Sequence, residues 1–176
     1  MTGYAVCGRS RDELRQYANG IREVLGLAKH PYFPVVEFLE HVLSEIIPEF
    51  EYRYLTYEEM GDKHGVTYPD KQIICIREDV YDRAYAGMGR DRFTIAHEIG
   101  HLLLHSGEVS MPRYNPGTKI PAYKDSEWQA NAFAGELLMP DYIIKQYSIP
   151  EIERNCGVSH DAAQFQLSKV ILPGDR

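Results

Sequence analysis

Arg90-Asp-Arg-Phe-Thr-Ile-Ala-His-Glu-Ile-Gly-His-Leu-Leu-Leu-His105 is the stretch around which the chain is organised. Within it, His97-Glu98-Ile99-Gly100-His101 is an H-E-x-x-H pattern. Residues four apart on an α-helix share a face and rise only about 6 Å, so both imidazoles can converge on one ion. Glu98 projects beside the pair, placed to accept a proton from an attacking water. The pattern predicts a helix carrying a zinc site with its general base. Phe93, Ile95, Ala96, Ile99, Leu102 and Leu103 supply apolar residues at mostly helical spacing. Asp91 is expected to cap the start and Ser106-Gly107 to end it.

A catalytic zinc usually takes three protein ligands and keeps one position open. The motif supplies two, and His105, Glu108 and Glu127 are candidates for the third. His105 shares the face of His97 and His101, but three residues over eight positions span about 12 Å, too far for one ion with ~2 Å bonds unless the helix turns. His105 is therefore expected behind the ligands or packed. Glu127 begins a separate helix that can cross the first and aim a carboxylate at the ion. Asn131, one turn further on, can hydrogen-bond a ligand histidine from behind.

The chain has 176 residues, room for one domain with a real core. Its formal net charge of −7 argues against non-specific binding to nucleic acid or anionic membranes. No apolar run approaches the ~20 residues of a membrane span, and the N-terminus lacks a signal peptide's apolar core. Cys7, Cys75 and Cys156 are far apart and form no C-x-x-C pair, which suits reduced thiols in a cytoplasmic protein. Thirteen tyrosines suit a cleft or a partner surface without identifying either.

Along the chain, Ser10-Arg11-Asp12-Glu13 is a capping box opening an amphipathic helix that Gly26 ends. Val35 to Ile47 predicts a second, strongly apolar helix stopped by Pro48. Phe50 to Tyr57 and Gln72 to Ile76 read as strands of one small sheet, and Met60 to Asp70 between them as a polar loop. A short helix over Arg77 to Ala86 precedes the central one. Glu108 to Lys124 is irregular and long enough to be functional. Asp125-Ser126 opens a helix from Glu127 to Met139. The tail, Asp141 to Tyr147 and then Glu151 to Ile171 around Gly157-Val158-Ser159, has a helix-turn-helix outline. Its second helix offers only Lys169 as a cation, so a packing role is expected rather than DNA binding.

Phe93 to His105, followed by Glu127-Trp-Gln-Ala-Asn-Ala-Phe-Ala-Gly-Glu-Leu-Leu-Met-Pro140, resembles the ImmA/IrrE family of zinc metallopeptidases. The resemblance is strong over residues 72–140; residues 1–60 carry no family motif, and 141–176 only a weak trace. It implies an α+β, mostly helical, gluzincin-like single domain over 1–176, with a small sheet beside the active-site helix. It implies His97, His101 and Glu127 as ligands of one Zn2+ ion and Glu98 as catalytic base. Members often have a second acid two positions before the asparagine; here Gln129 stands there, a poor ligand, which favours Glu127. The resemblance further implies an endopeptidase acting on a protein substrate, typically a helix-turn-helix transcriptional repressor of a mobile element, stress response or toxin–antitoxin-like operon. His105, Tyr114 and Tyr123 are the candidate donors to a tetrahedral intermediate. The rival reading is a non-catalytic module on the same scaffold that sequesters a regulator or toxin; an intact Glu98 argues against it.

Overall fold

The computed structural model describes residues 4–107 and 120–171. Helix α1 (Arg11–Val24) opens with the expected box: Ser10 Oγ accepts from the Glu13 N–H, and Glu13 accepts from the Ser10 N–H. It ends just before Gly26, whose φ of +71° is readily reached by glycine. The second apolar stretch is helical as expected but interrupted. Helix α2 (Val35–Glu37) passes through a π turn (Phe38–Val42) into α3 (Leu43–Ile46). A π turn inserts an extra residue and re-aims the face beyond it; Val35, Val36, Phe38, Leu39 and Leu43 all end buried.

Strand β1 (Glu51–Leu55) is followed by α4 (Tyr57–Met60), β2 (Gly65–Tyr68), a 3-10 turn at Pro69–Lys71 and β3 (Ile73–Arg77). The sheet order is β1-β3-β2. β1 lies parallel to β3 with Arg53 opposite Cys75, and β2 antiparallel to it with Val66 opposite the same residue. The two expected strands therefore do share a sheet. Met60 to Asp70 is not the loop its composition predicts. A four-residue strand with Gly at one end carries too little alternation to stand out, and pairing with β3 supplies its stability.

Helix α5 (Glu78–Tyr85) leads to the central α6 (Gly89–His105). This helix begins three residues earlier than an Asp91 cap would require, with Met88 at the cap position. Asp91 instead sits buried in the first turn, its carboxylate accepting from Arg83 Nε and Nη2 at 3.0 and 2.9 Å. The early start fits at Gly89 because no side chain is there: a Cβ would lie 2.3 Å from the Val158 carbonyl carbon. Helix α7 (Ser126–Leu138) is capped by Asp125, which accepts from the Glu127 and Trp128 N–H groups. Helices α8 (Asp141–Ile144), α9 (Ile149–Cys156) and α10 (His160–Ile171) complete the described chain. Gly157, at φ +65°, makes the turn between the last two.

The core forms where α6 packs between the sheet on one side and α7 on the other. Ile95, Ile99 and Leu102 from one helix and Phe133, Ala134 and Leu137 from the other are buried, together with Ile74 and Ile76 of β3. Burying each large aliphatic or aromatic side chain contributes about 1.5–3 kcal/mol. The tail packs rather than projects: Ile152, Cys156, Val158 and Ala163 are buried. Arg92, fully buried on α6, donates to the Gly157 and Phe33 carbonyls. The N-terminal segment pairs with the entrance to α7, through a bridge of Ala5 to Asp125 and the Val6 N–H donating to the Lys124 carbonyl. No helix among the described residues is long and apolar enough to cross a membrane.

Candidate metal centre

Helix α6 stacks His97 and His101 with their Nε2 atoms 3.0 Å apart. Glu127 arrives from the first turn of α7. Its Oε2 lies 3.3 Å from His97 Nε2 and its Oε1 3.6 Å from His101 Nε2. Ligand atoms from the three residues all fall within 4.8 Å of one another, the only such His/Cys/Asp/Glu group among the described residues. Four ligands held tetrahedrally by ~2.0 Å bonds sit about 3.3 Å apart, and the three separations here, 3.0 to 3.6 Å, bracket that length. The donor set and its spacing therefore fit a zinc ion.

The crossing that brings Glu127 in depends on a close helix approach at Gly100. A Cβ there would lie 3.2 Å from the Ala130 Cα and carbonyl oxygen and 3.1 Å from the Phe133 ring.

Behind the three residues lie further polar side chains, Asn131 exposed and His105 and Gln129 buried. His97 Nδ1 is 3.0 Å from Asn131 Oδ1, the contact the one-turn spacing predicts. His105 is not a third ligand: its Nδ1 is 3.2 Å from His101 Nδ1 and its Nε2 is 3.2 Å from Gln129 Oε1. With both ring nitrogens engaged in the interior, His105 cannot also serve as a donor to an intermediate. Tyr123 contributes through its backbone, since its carbonyl accepts from Gln129 Nε2 at 2.8 Å while its ring lies against Gly8. Glu108 and Tyr114 lie outside the described residues.

Glu98 is 3% exposed and faces β2. Thr67 Oγ1 lies 2.6 Å from its Oε2 and 3.0 Å from its main-chain oxygen. Gly65, two residues earlier on the same strand face, leaves the space that the Glu98 side chain occupies. Neither Thr67 nor Gly65 was marked by the sequence, because β2 itself was not.

Burial pushes the Glu98 carboxyl above its ordinary range, against the opposing pull of the Thr67 hydroxyl. Glu127 is held well below the carboxylate range by hydrogen bonds to His101 and His97. His97 is raised: its burial works the other way, but the bond to Glu127 and the nearby Glu98 charge prevail. His105 is pushed down to about 4 by burial and by its neighbour His101. Two carboxyls shifted in opposite directions beside one histidine pair are a feature of functional sites.

Two packed helices bring a His-His-Glu group together, with a buried acid beside it and a small sheet along one side, an arrangement that could hold a metal ion in the manner of a metallopeptidase. The chain belongs to the IrrE N-terminal-like domain family, peptidase M78, whose model matches residues 54–168. The chain is 28% identical over 129 residues to the radiation response metalloprotease IrrE of Deinococcus deserti, covering 68% of this chain and 44% of that protein. A Mycobacterium tuberculosis transcriptional regulator has the same fold, with a TM-score of 0.61 at 16% identity, over 94% of this chain and 49% of the other. The chain thus spans about half the length of the relatives it matches.

Proposed function

We propose that this chain is a zinc-dependent metallo-endopeptidase whose substrate is a regulatory protein, a helix-turn-helix transcriptional repressor being the class the family resemblance implies. One observation carries the reading: His97, His101 and Glu127 converge at tetrahedral spacing while Glu98, which belongs to none of the three contacts, is held beside them. His97, His101 and Glu127 would hold the ion. Bound there, zinc supplies Lewis acidity, which lowers the pKa of water toward ~7 and polarises a carbonyl. Glu98 takes the proton from the attacking water and delivers it to the leaving amine. The Thr67 hydroxyl orients the Glu98 carboxylate, and Asn131 orients His97. Among the described residues β2 has a strand on one side only, so its outer edge offers N–H and C=O groups to an extended peptide.

The test is Glu98→Gln. The variant should bind one zinc per chain as the parent does and lose cleavage of the repressor encoded nearby. Undiminished cleavage would overturn the assignment. A parent protein that leaves every such partner intact after long incubation with zinc would point instead to sequestration without hydrolysis.

A further inference from the structure

Gln129 occupies the place where a second acid often stands in similar proteins, and it is completely buried. Its Nε2 donates to two main-chain carbonyls, Cys7 and Tyr123, each at 2.8 Å. Two carbonyl oxygens can only accept, so both protons of the amide are committed to them. That fixes which end of the amide is which and leaves Oε1, an acceptor, facing His105 Nε2 at 3.2 Å. His105 must therefore carry its proton on Nε2. Its Nδ1 is then a lone pair, facing His101 Nδ1 at 3.2 Å, and His101 must donate from that nitrogen. In the neutral ring, the form able to bind a metal, the Nε2 of His101 is then the lone pair, directed at His97 and Glu127. On the other side, Asn131 Oδ1 at 3.0 Å is placed to accept from His97 when that ring carries its proton on Nδ1.

We infer that Gln129 is a positioning residue: through His105 it sets the tautomer of His101, and it ties that setting to the docking of the N-terminal segment. The chain of dependence runs from the Cys7 and Tyr123 carbonyls to Gln129, then His105, then His101. Gln129 touches neither substrate nor metal. A glutamate in its place would still accept from His105 but would face the two carbonyls with no protons to give. A buried ligand histidine aligned from behind is the arrangement that conserves metal affinity, and losing such a partner typically weakens binding 10–100-fold. The inference rests on the proposed zinc site for its consequence, whereas the placement of protons follows from the hydrogen bonds of neutral imidazole rings.

The experiment is long-range 1H–15N correlation on the full chain labelled with 15N-histidine, metal-free and zinc-loaded. His105 is expected as the Nε2–H tautomer in both states, and His101 and His97 as Nδ1–H in the loaded one. Gln129→Met should let His105 sample both tautomers and weaken zinc binding, measured by chelator competition, about 10–100-fold. A parent His105 protonated on Nδ1 overturns the inference, whatever the zinc stoichiometry. So does a Gln129→Met variant with unchanged tautomers. Failure to bind zinc at all, with His105 as expected, removes the metal reading and leaves the relay standing.

Discussion

Gly65→Ala should destabilise this protein, and only while Glu98 is present. An added Cβ would lie 2.6 Å from Glu98 Cγ, 2.8 Å from Oε1 and 3.0 Å from Cδ. Ordinary carbon contacts lie at about 3.5–4.0 Å, so the overlap is close to 1 Å. Glu98 is buried and bonded to Thr67, so it cannot swing clear without losing that bond. Overpacking of this kind costs about 1–3 kcal/mol, set against roughly 0.5–1 kcal/mol that alanine gains over glycine within a strand. The net expectation is a loss of about 1–2 kcal/mol. In a Glu98→Ala background the three clashing atoms are gone, and Gly65→Ala should become neutral or stabilising by about 0.5 kcal/mol. Glu98→Ala alone removes a buried carboxyl, and the Thr67 hydroxyl keeps the main-chain oxygen of residue 98 as its acceptor. That variant should therefore be no less stable than the parent.

Urea unfolding of the metal-free parent, both single variants and the double variant gives the cycle. Working without zinc keeps ligand linkage out of the comparison. With a slope of about 2 kcal/mol/M, a 2 kcal/mol loss moves the midpoint by about 1 M. Coupling of about 1–3 kcal/mol is expected; contributions that add to within ~0.5 kcal/mol would refute the claim that residues 65 and 98 compete for one space.

Removing a ligand should matter more than removing its support. Glu127→Ala is expected to weaken zinc binding by more than 100-fold, and Asn131→Ala by about 10–100-fold, both by chelator competition; the reverse order would mean the third ligand is misassigned. Cys7 is exposed, whereas Cys75 and Cys156 are buried, and burial pushes the Cys156 thiol up to about 11. A thiol reagent should thus modify Cys7 quickly in the native protein and reach the other two only on unfolding; three fast equivalents would contradict the packing. Arg92→Met should cost about 2–4 kcal/mol in thermal or urea unfolding, because it strands the Phe33 and Gly157 carbonyls. A change below ~0.5 kcal/mol would show that those bonds contribute little.

Much of the site was written locally. The spacing of His97 and His101 fixes a shared helical face, and the apolar positions flanking them fix the helix. Glu127 and Asn131 are one turn apart on a second helix, so one candidate ligand and one supporting contact were readable together. What escaped the reading lies in relations between distant segments. β2 has four residues, and only its partner β3 makes it a strand, so Thr67 and Gly65 gave no sign of their place beside Glu98. Asp91 has the right chemistry for a cap, but Arg83 and the start of α6 at Gly89 claim it for an ion pair. Gln129 read as a poor ligand, which says nothing of its use as an acceptor. That use appears only when the N-terminal segment, more than a hundred residues away in sequence, lies against α7.

The near-contact at Gly100 acts as a gauge block between two rods. A methyl group at that position would force its neighbours to give by a few tenths of an ångström. His97 and His101 ride on one rod and Glu127 on the other, so any such widening passes into the gap that a shared ion would bridge. Metal–ligand lengths tolerate only about 0.2 Å. The smallest side chain in the motif thus sets the calibre of the whole centre, and a single hydrogen atom's worth of clearance decides whether the acid from α7 still reaches.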